Sequence, residues 1–86
     1  MSGYTIRFKQ AALRELKTVS RQIHTRVIAA IEKLSLEPRP RGCRKIRGLS
    51  DTFRIRVGQY RVLYTVDDTE RVVRITHIRH RRKAYD

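Results

Sequence analysis

The chain has 86 residues, and its 21 Lys and Arg residues outnumber its 8 Asp and Glu residues, for a formal net charge of +13. A chain of this length builds one modest hydrophobic core, which excludes a multidomain enzyme and predicts a single domain over residues 1–86. A body this small and this basic attracts polyanions or an acidic protein, so we expect a negatively charged partner.

The first elements predicted along the chain are one strand and two helices. Residues 4–8 alternate apolar with polar side chains, which predicts a strand with one buried face. Apolar residues then fall at helical spacing from about Gln10 to Val19 and again from Ile23 to Leu34, which predicts a helical hairpin. The proline-rich segment 37–42 ends the second helix, because proline disfavours helical geometry before it and glycine permits a turn.

Three further strands are predicted at Phe53 to Val57, Tyr60 to Val66 and Val72 to Ile78. The pair Gly58-Gln59 joins the first two and has glycine first, as a type II′ turn requires. We therefore expect the last three strands to form an antiparallel meander. The predicted fold is α+β in the order β-α-α-β-β-β, with the helical hairpin packed on one face of an antiparallel sheet.

The predicted hairpin brings arginines together on the open face of the sheet. A two-residue turn at Gly58-Gln59 places Arg56 opposite Arg61, with Arg54 two positions further along the same face. Like charges at this distance repel unless something neutralises them, and the planar fork of arginine suits phosphate oxygens. The pattern favours a cradle for a phosphodiester. The alternative is that these arginines only solvate the uncovered face of an antiparallel sheet.

Other cations cluster in the loop before these strands and in the C-terminal tail. We expect the following to bind RNA phosphates: Arg44, Lys45, Arg47, Arg82 and Lys83. The tail also contains His80, Arg81 and Tyr85. Cleavage of RNA by its own 2′-hydroxyl requires a base, positive charge at the phosphorus and an acid, and a histidine, a tyrosine activated by cations and an arginine fit these roles. The alternatives are a surface histidine and a tyrosine that docks the C-terminus.

The sequence carries no signal for a metal, a cofactor or a membrane. The single cysteine, Cys43, has no partner for an internal disulfide, which favours a reducing cytoplasm. The longest apolar run, Val27 to Ile31, is far shorter than the roughly 20 residues that span a bilayer. Histidines and acids show no zinc-ligand spacing, and the glycines form no phosphate-binding loop, so we expect no cofactor.

Taken together, these residues resemble the RelE/ParE superfamily of toxins from type II toxin–antitoxin systems, in its RelE branch. The resemblance is carried by Tyr4 to Phe8, Lys45 to Leu49, Phe53 to Val57, Tyr60 to Tyr64, and His80-Arg81-Arg82 with Tyr85. It implies a ribosome-dependent endonuclease that cleaves mRNA in the ribosomal A site by attack of the 2′-hydroxyl. It also implies three kinds of partner: the ribosome with its mRNA, an acidic or amphipathic RelB-like antitoxin, and operator DNA for the toxin–antitoxin complex.

The resemblance also implies roles for single residues. Arg61 and Arg81 match the arginines that stabilise the transition state in the family, and Tyr85 matches its C-terminal tyrosine, proposed as the general base. Arg54 and Arg56 stand where some members have lysines. Arginine stabilises negative charge but does not exchange protons near neutral pH, so these two positions do not supply a general acid.

We hypothesise that His80 takes or shares the role of general acid. Two other functions stay open. A ParE-like toxin of the same fold inhibits DNA gyrase, and the sheet arginines with Arg81 and Tyr85 argue against it. A catalytically degenerate, basic nucleic-acid-binding module would use charge alone, but the sequence shows neither a recognition helix nor a platform of stacking aromatic residues.

Overall fold

Two helices and five strands make up the part of the chain that the computed structural model describes, residues 3–49 and 51–82. In chain order they are β1 (Thr5–Phe8), α1 (Gln10–Leu16), α2 (Arg21–Lys33), β2 (Arg44–Lys45), β3 (Thr52–Val57), β4 (Tyr60–Asp67) and β5 (Val72–His80). The strands form one sheet in the order β1-β5-β4-β3-β2. The predicted α+β class is confirmed. Neither of these two helices has the length and apolar character that crossing a membrane requires.

The sheet is mixed, and the prediction of a wholly antiparallel sheet is wrong at one edge. Strands β3, β4 and β5 form the predicted antiparallel meander. Strand β1, however, runs parallel to β5, with Ile6 beside Val73. A parallel pair needs a long connection, and everything from α1 to β4 lies between these two strands. Alternation shows that β1 is a strand but carries no information about the direction of its neighbour.

The largest differences from the predicted elements are two element ends and one added strand. Helix α1 ends at Leu16 rather than near Val19. Strand β5 continues to His80, so this residue belongs to a strand and not to the tail. The two-residue strand β2 adds an edge to the sheet within the predicted loop, and two adjacent cations have no periodicity by which to recognise a strand.

The core lies between the helices and one face of the sheet. Alternate residues of β3 and β4 supply most of that face. Those that are buried are Ile55, Val57, Val62, Tyr64 and Val66, with Phe53 and Tyr60 partly buried beside them. From the helical side, Val27 and Ile31 of α2 and the capping residue Leu34 complete the core. Because side chains alternate along a strand, the arginines between these residues lie on the opposite, open face.

The turn between β3 and β4 packs closely against α2. Gly58 has φ of 59°, whereas Gln59 does not have a positive φ, which is the pattern of the predicted type II′ turn. A Cβ atom at Gly58 would collide with Cδ1 of Ile23 in α2. The glycine is therefore favoured by its backbone conformation, and a larger residue there would also force the end of the Ile23 side chain to move.

Gly58→Ala is expected to lower the free energy of unfolding by about 2–4 kcal/mol, the sum of left-handed backbone strain and overpacking against Ile23. Gly48→Ala is the matched control, because Gly48 has φ of 83° and, apart from the atoms of Gly48 and its two chain neighbours, no atom lies within 4 Å of the position that its added methyl carbon would take. In the control, the free energy of unfolding should fall only by the cost of backbone strain, about 1–2 kcal/mol. Urea unfolding measures both, and equal losses would show that the contact with Ile23 costs nothing.

A polar cluster holds the opposite end of the sheet. Nη1 and Nη2 of Arg39 donate to the two carboxylate oxygens of Asp68, at 3.2 and 2.8 Å. The hydroxyl of Tyr4 donates to Oδ1 of the same carboxylate at 2.6 Å. The guanidinium of Arg39 also lies 5.3 Å from the centroid of the Phe53 ring. The cluster ties the segment after α2 to the start of β1 and to the β4–β5 turn.

Asp68→Asn is expected to lower Tm at neutral pH. The guanidinium of Arg39 and the hydroxyl of Tyr4 hold the pKa of Asp68 below its ordinary value. Such a carboxylate contributes stability that is fully present above the unfolded pKa of about 3.9 and is lost as the pH falls through the lower, folded pKa. The difference in Tm between wild type and Asp68→Asn should therefore disappear at acidic pH.

Thermal unfolding followed from neutral pH into acid measures this difference. Glu70→Gln is the control, since it removes a negative charge from the same turn without touching the Arg39 cluster. A difference for Asp68→Asn that persists unchanged at the lowest pH would show that the charge of Asp68 does not stabilise the fold.

Candidate nucleic-acid interface

Arginines from three neighbouring strands lie side by side on the open face. Arg56 of β3 is paired with Arg61 of β4, as predicted, and Arg61 is paired with Arg79 of β5. Directly opposed residues have Cβ atoms about 4.5–5.5 Å apart, so the three side chains start from one line across the sheet. We refer to these three residues as the arginine row. The third member, Arg79, is not among the site residues that the sequence predicts.

The backbone of Arg81 is held beside the β3–β4 turn. Its N–H donates to the carbonyl oxygen of Gln59 at 2.6 Å, which continues the pairing of β4 with β5 beyond the strand end. A pocket of about 280 Å³ opens there, lined by Arg56, Gly58, Gln59, Tyr60, Arg61 and Arg81. We call it the arginine pocket. It collects three of the predicted catalytic arginines from separate parts of the sequence.

Arg61 is 6% exposed although it lies on the open face of the sheet. Withdrawing a guanidinium from water costs free energy that other interactions must offset. Attraction between charges is also stronger where the local dielectric is low. An anion that enters the arginine pocket therefore meets a cation that has already lost most of its water, and gains more from the contact than at an exposed arginine.

A second pair of arginines extends the positive surface toward the sheet edge. Arg44 of β2 is paired with Arg54 of β3, and with Arg56 they line a neighbouring pocket of about 200 Å³. Because Arg56 lines both pockets, the cations form a continuous surface. The structure thus joins Arg44, predicted to bind RNA, to the predicted catalytic arginines. Lys45 and Arg47 line a separate depression on the β2–β3 connection.

His80 lies on the face of the sheet opposite the arginine row. It is paired with Tyr60, a residue of the core face, and the two rings meet edge-on with centroids 5.3 Å apart. Its Nδ1 accepts a hydrogen bond from the N–H of Arg82 at 3.3 Å. With Arg81 and Arg82 it lines a pocket next to the arginine pocket. The structure brings His80 to the side of Arg81, and its assignment as the general acid stays a prediction.

Two predicted site residues, Lys83 and Tyr85, lie outside the described residues, so their roles stay predictions. Within residues 3–49 and 51–82, no three His, Cys, Asp or Glu side chains are grouped closely enough to hold a metal ion.

A carboxylate that the sequence does not single out reaches the arginine row from α1. Oε2 of Glu15 accepts a hydrogen bond from Nε of Arg79 at 3.2 Å, and Oε1 accepts one from the N–H of Ile78 at 2.9 Å. Nδ1 of His77 lies 3.3 Å from Oε1. The helical spacing indicates only that Glu15 is on a polar side of α1, because its partners come from the other end of the chain.

Comparison with known proteins decides the family. The family described as the ParE toxin of type II toxin-antitoxin system, parDE, matches residues 6–85. The chain belongs to the RelE/ParE superfamily of type II toxins. The resemblance that the sequence indicates is therefore confirmed.

Individual members of the RelE/ParE superfamily align with nearly the whole chain. Toxin RelG of Mycobacterium tuberculosis is 39% identical over 83 residues, which are 95% of this chain and 95% of RelG. The crystal structure of the toxin–antitoxin complex RelBE2 from the same organism contains a chain that is 36% identical, with a TM-score of 0.80 over 91% of this chain and 98% of that one. The archaeal RelE–RelB complex from Pyrococcus horikoshii OT3 contains a chain that is 27% identical, with a TM-score of 0.81 over 94% of this chain and 97% of that one. These likenesses confirm the RelE-like fold.

Proposed function

We propose that this toxin is a ribosome-dependent mRNA endonuclease. The observation that carries the proposal is the arginine pocket, in which Arg56, Arg61 and Arg81 meet beside the β3–β4 turn. Attack on a phosphodiester places additional negative charge on the oxygens around phosphorus. Guanidinium groups that a sheet already holds in place stabilise this charge without reorganising at the moment of reaction.

In the proposed reaction the 2′-oxygen forms a bond to the adjacent phosphorus, and the bond from phosphorus to the 5′-oxygen of the next nucleotide breaks. The products are a 2′,3′-cyclic phosphate and a 5′-hydroxyl. A base removes the proton of the 2′-hydroxyl, and an acid delivers a proton to the leaving 5′-oxygen. We assign the base to Tyr85, and the stabilising charge to Arg54 and the three arginines of the arginine pocket, Arg56, Arg61 and Arg81. We assign the acid to His80, which lies on the other face of the sheet from the arginine row and would act from the neighbouring pocket that it lines with Arg81.

Dependence on the ribosome is part of the proposal. The arginines of the pocket supply charge but do not exchange protons near neutral pH, so much of the rate must come from holding the RNA in a reactive geometry. Correct positioning can contribute roughly 7–11 kcal/mol to lowering a barrier. The cations proposed to hold RNA phosphates in that complex are Arg44, Lys45, Arg47, Arg82 and Lys83. Free RNA should then be cleaved poorly.

We also propose that a RelB-like antitoxin neutralises the toxin. The RelBE2 relative from M. tuberculosis and the RelE relative from P. horikoshii were crystallised as toxin–antitoxin complexes. The net charge of +13 fits an acidic or amphipathic partner. Action in the cytoplasm and binding of operator DNA by the complex belong to the same proposal.

Inhibition of DNA gyrase is the second candidate, because the matching family carries the name of ParE. Induction of the toxin in cells separates the two. The 5′ ends of a translated mRNA are mapped beside those of a copy that lacks its start codon, and relaxation of a plasmid reports on gyrase. Cuts confined to the translated copy, and absent with Arg81→Ala, are expected. Growth arrest with a relaxed plasmid and no cuts would favour gyrase, and normal growth would contradict both activities.

A further inference from the structure

Glu15 brings a negative charge to one end of the arginine row. Its side chain is 28% exposed and that of Arg79 is 35% exposed, so the contact between them is partly withdrawn from water. Strand β1 is paired with residues 72–75 of β5, and Glu15 accepts the N–H of Ile78 beyond that pairing. The carboxylate is thus anchored to the β5 backbone through Oε1 while Oε2 contacts the guanidinium.

The position of the contact on Arg79 determines its effect. Oε2 of Glu15 accepts a hydrogen bond from Nε, at 3.2 Å. A contact at Nε restrains the plane of the guanidinium. The two terminal Nη groups, which bind phosphate as a fork, are not part of this contact. Arg79 is also directly opposite Arg61 in the sheet. The charge of Glu15 offsets the repulsion between these two like charges before any RNA is bound.

We propose that Glu15 is a positioning residue, which holds Arg79 in the arginine row with its phosphate-binding edge available to the RNA. The inference rests on the proposed endonuclease function and extends it from the sheet to α1, the helix that supplies the carboxylate. Glu15 does not touch the reacting atoms. Its contribution to cleavage depends entirely on Arg79.

Single-turnover cleavage of mRNA on programmed ribosomes tests this inference. Glu15→Gln keeps an oxygen for the Ile78 N–H but removes the charge that faces Arg79. It is expected to slow cleavage at saturating toxin by about 10- to 100-fold, as misplacement of a binding group does, with little change in the half-saturating concentration. Glu32→Gln, which removes an exposed carboxylate from α2, is the matched control and should cleave like wild type.

The same substitution in an Arg79→Ala background separates positioning from stabilisation. If Glu15 acts through Arg79, Glu15→Gln adds no further loss there. An equal, additive loss in both backgrounds would mean that Glu15 supports the fold in general through Ile78 or His77, and would overturn the proposal. Urea unfolding of each variant reports on the fold itself.

Two further outcomes are decisive. If wild type cleaves and Glu15→Gln cleaves equally fast, this inference fails and the proposed function stands. If wild type cleaves no mRNA on ribosomes, the proposed function fails and the inference with it. Should Glu15→Gln not fold, Arg79→Lys takes its place, because it keeps the positive charge but loses Nε; undiminished cleavage by that variant overturns the proposal.

Discussion

Arg61→Ala is expected to lower the single-turnover rate of mRNA cleavage by about 10²- to 10³-fold, the cost of removing one preorganised group that stabilises a transition state. Arg61 is paired with both Arg56 and Arg79 and is the buried member of the row. Arg61→Lys should be intermediate, since an ammonium keeps the charge but cannot contact two phosphate oxygens with a planar fork.

Arg74→Ala is the matched control for this prediction. Arg74 is exposed on the same face of the sheet, opposite Thr65 of β4 and Arg7 of β1, and it does not line the arginine pocket. Its loss changes the net charge by the same amount. Cleavage by Arg74→Ala should remain close to that of wild type, and an equal loss in both variants would attribute activity to overall charge rather than to the pocket.

Tyr64→Ala is expected to lower the free energy of unfolding by about 3–5 kcal/mol, a large share of the roughly 5–15 kcal/mol by which a domain is stable. Tyr64 is 0% exposed, and its ring stacks on Phe53 with centroids 5.9 Å apart. Its hydroxyl donates to the carbonyl oxygen of Pro38 at 2.8 Å. Burial raises the pKa of Tyr64, so the hydroxyl remains a donor at physiological pH.

Tyr64→Phe separates packing from hydrogen bonding. It keeps the ring but leaves the Pro38 carbonyl without this donor, which should cost about 1–3 kcal/mol. Urea unfolding of both variants gives the two contributions. Equal losses for Ala and Phe would place the whole effect in the hydrogen bond, and negligible losses for both would contradict the central position of Tyr64 in the core.

The β3–β4 hairpin is the part of the site that sequence predicts well. A two-residue turn at Gly58-Gln59 determines the register of both strands, so the pairing of Arg56 with Arg61 follows from the spacing alone. The contact of Glu15 with Arg79 does not follow, because helical periodicity shows which side of α1 is polar but not what that side meets.

The two edges of the site are harder to predict, for different reasons. Strand β2 has two residues, too few for a period, so the pairing of Arg44 with Arg54 has no sequence signal. The face of His80 depends on where β5 ends. Once the strand includes this residue, alternation places it with Ile78 and Tyr60 on the helix side rather than with the arginines.

The parallel pairing of β1 with β5 also determines the order in which parts of the sheet can fold during synthesis. Strand β5 lies between β1 and β4 in the sheet although it follows both in the chain. During synthesis, β1 therefore cannot pair with another strand until residues 72–75 have left the ribosome. Pairing between segments so far apart in the chain is slow. The backbone of Arg81 is added later still. A nascent chain that stops short of β5 has neither a closed core nor an arginine pocket, so the core and the pocket are completed only after residues 72–81 have been made.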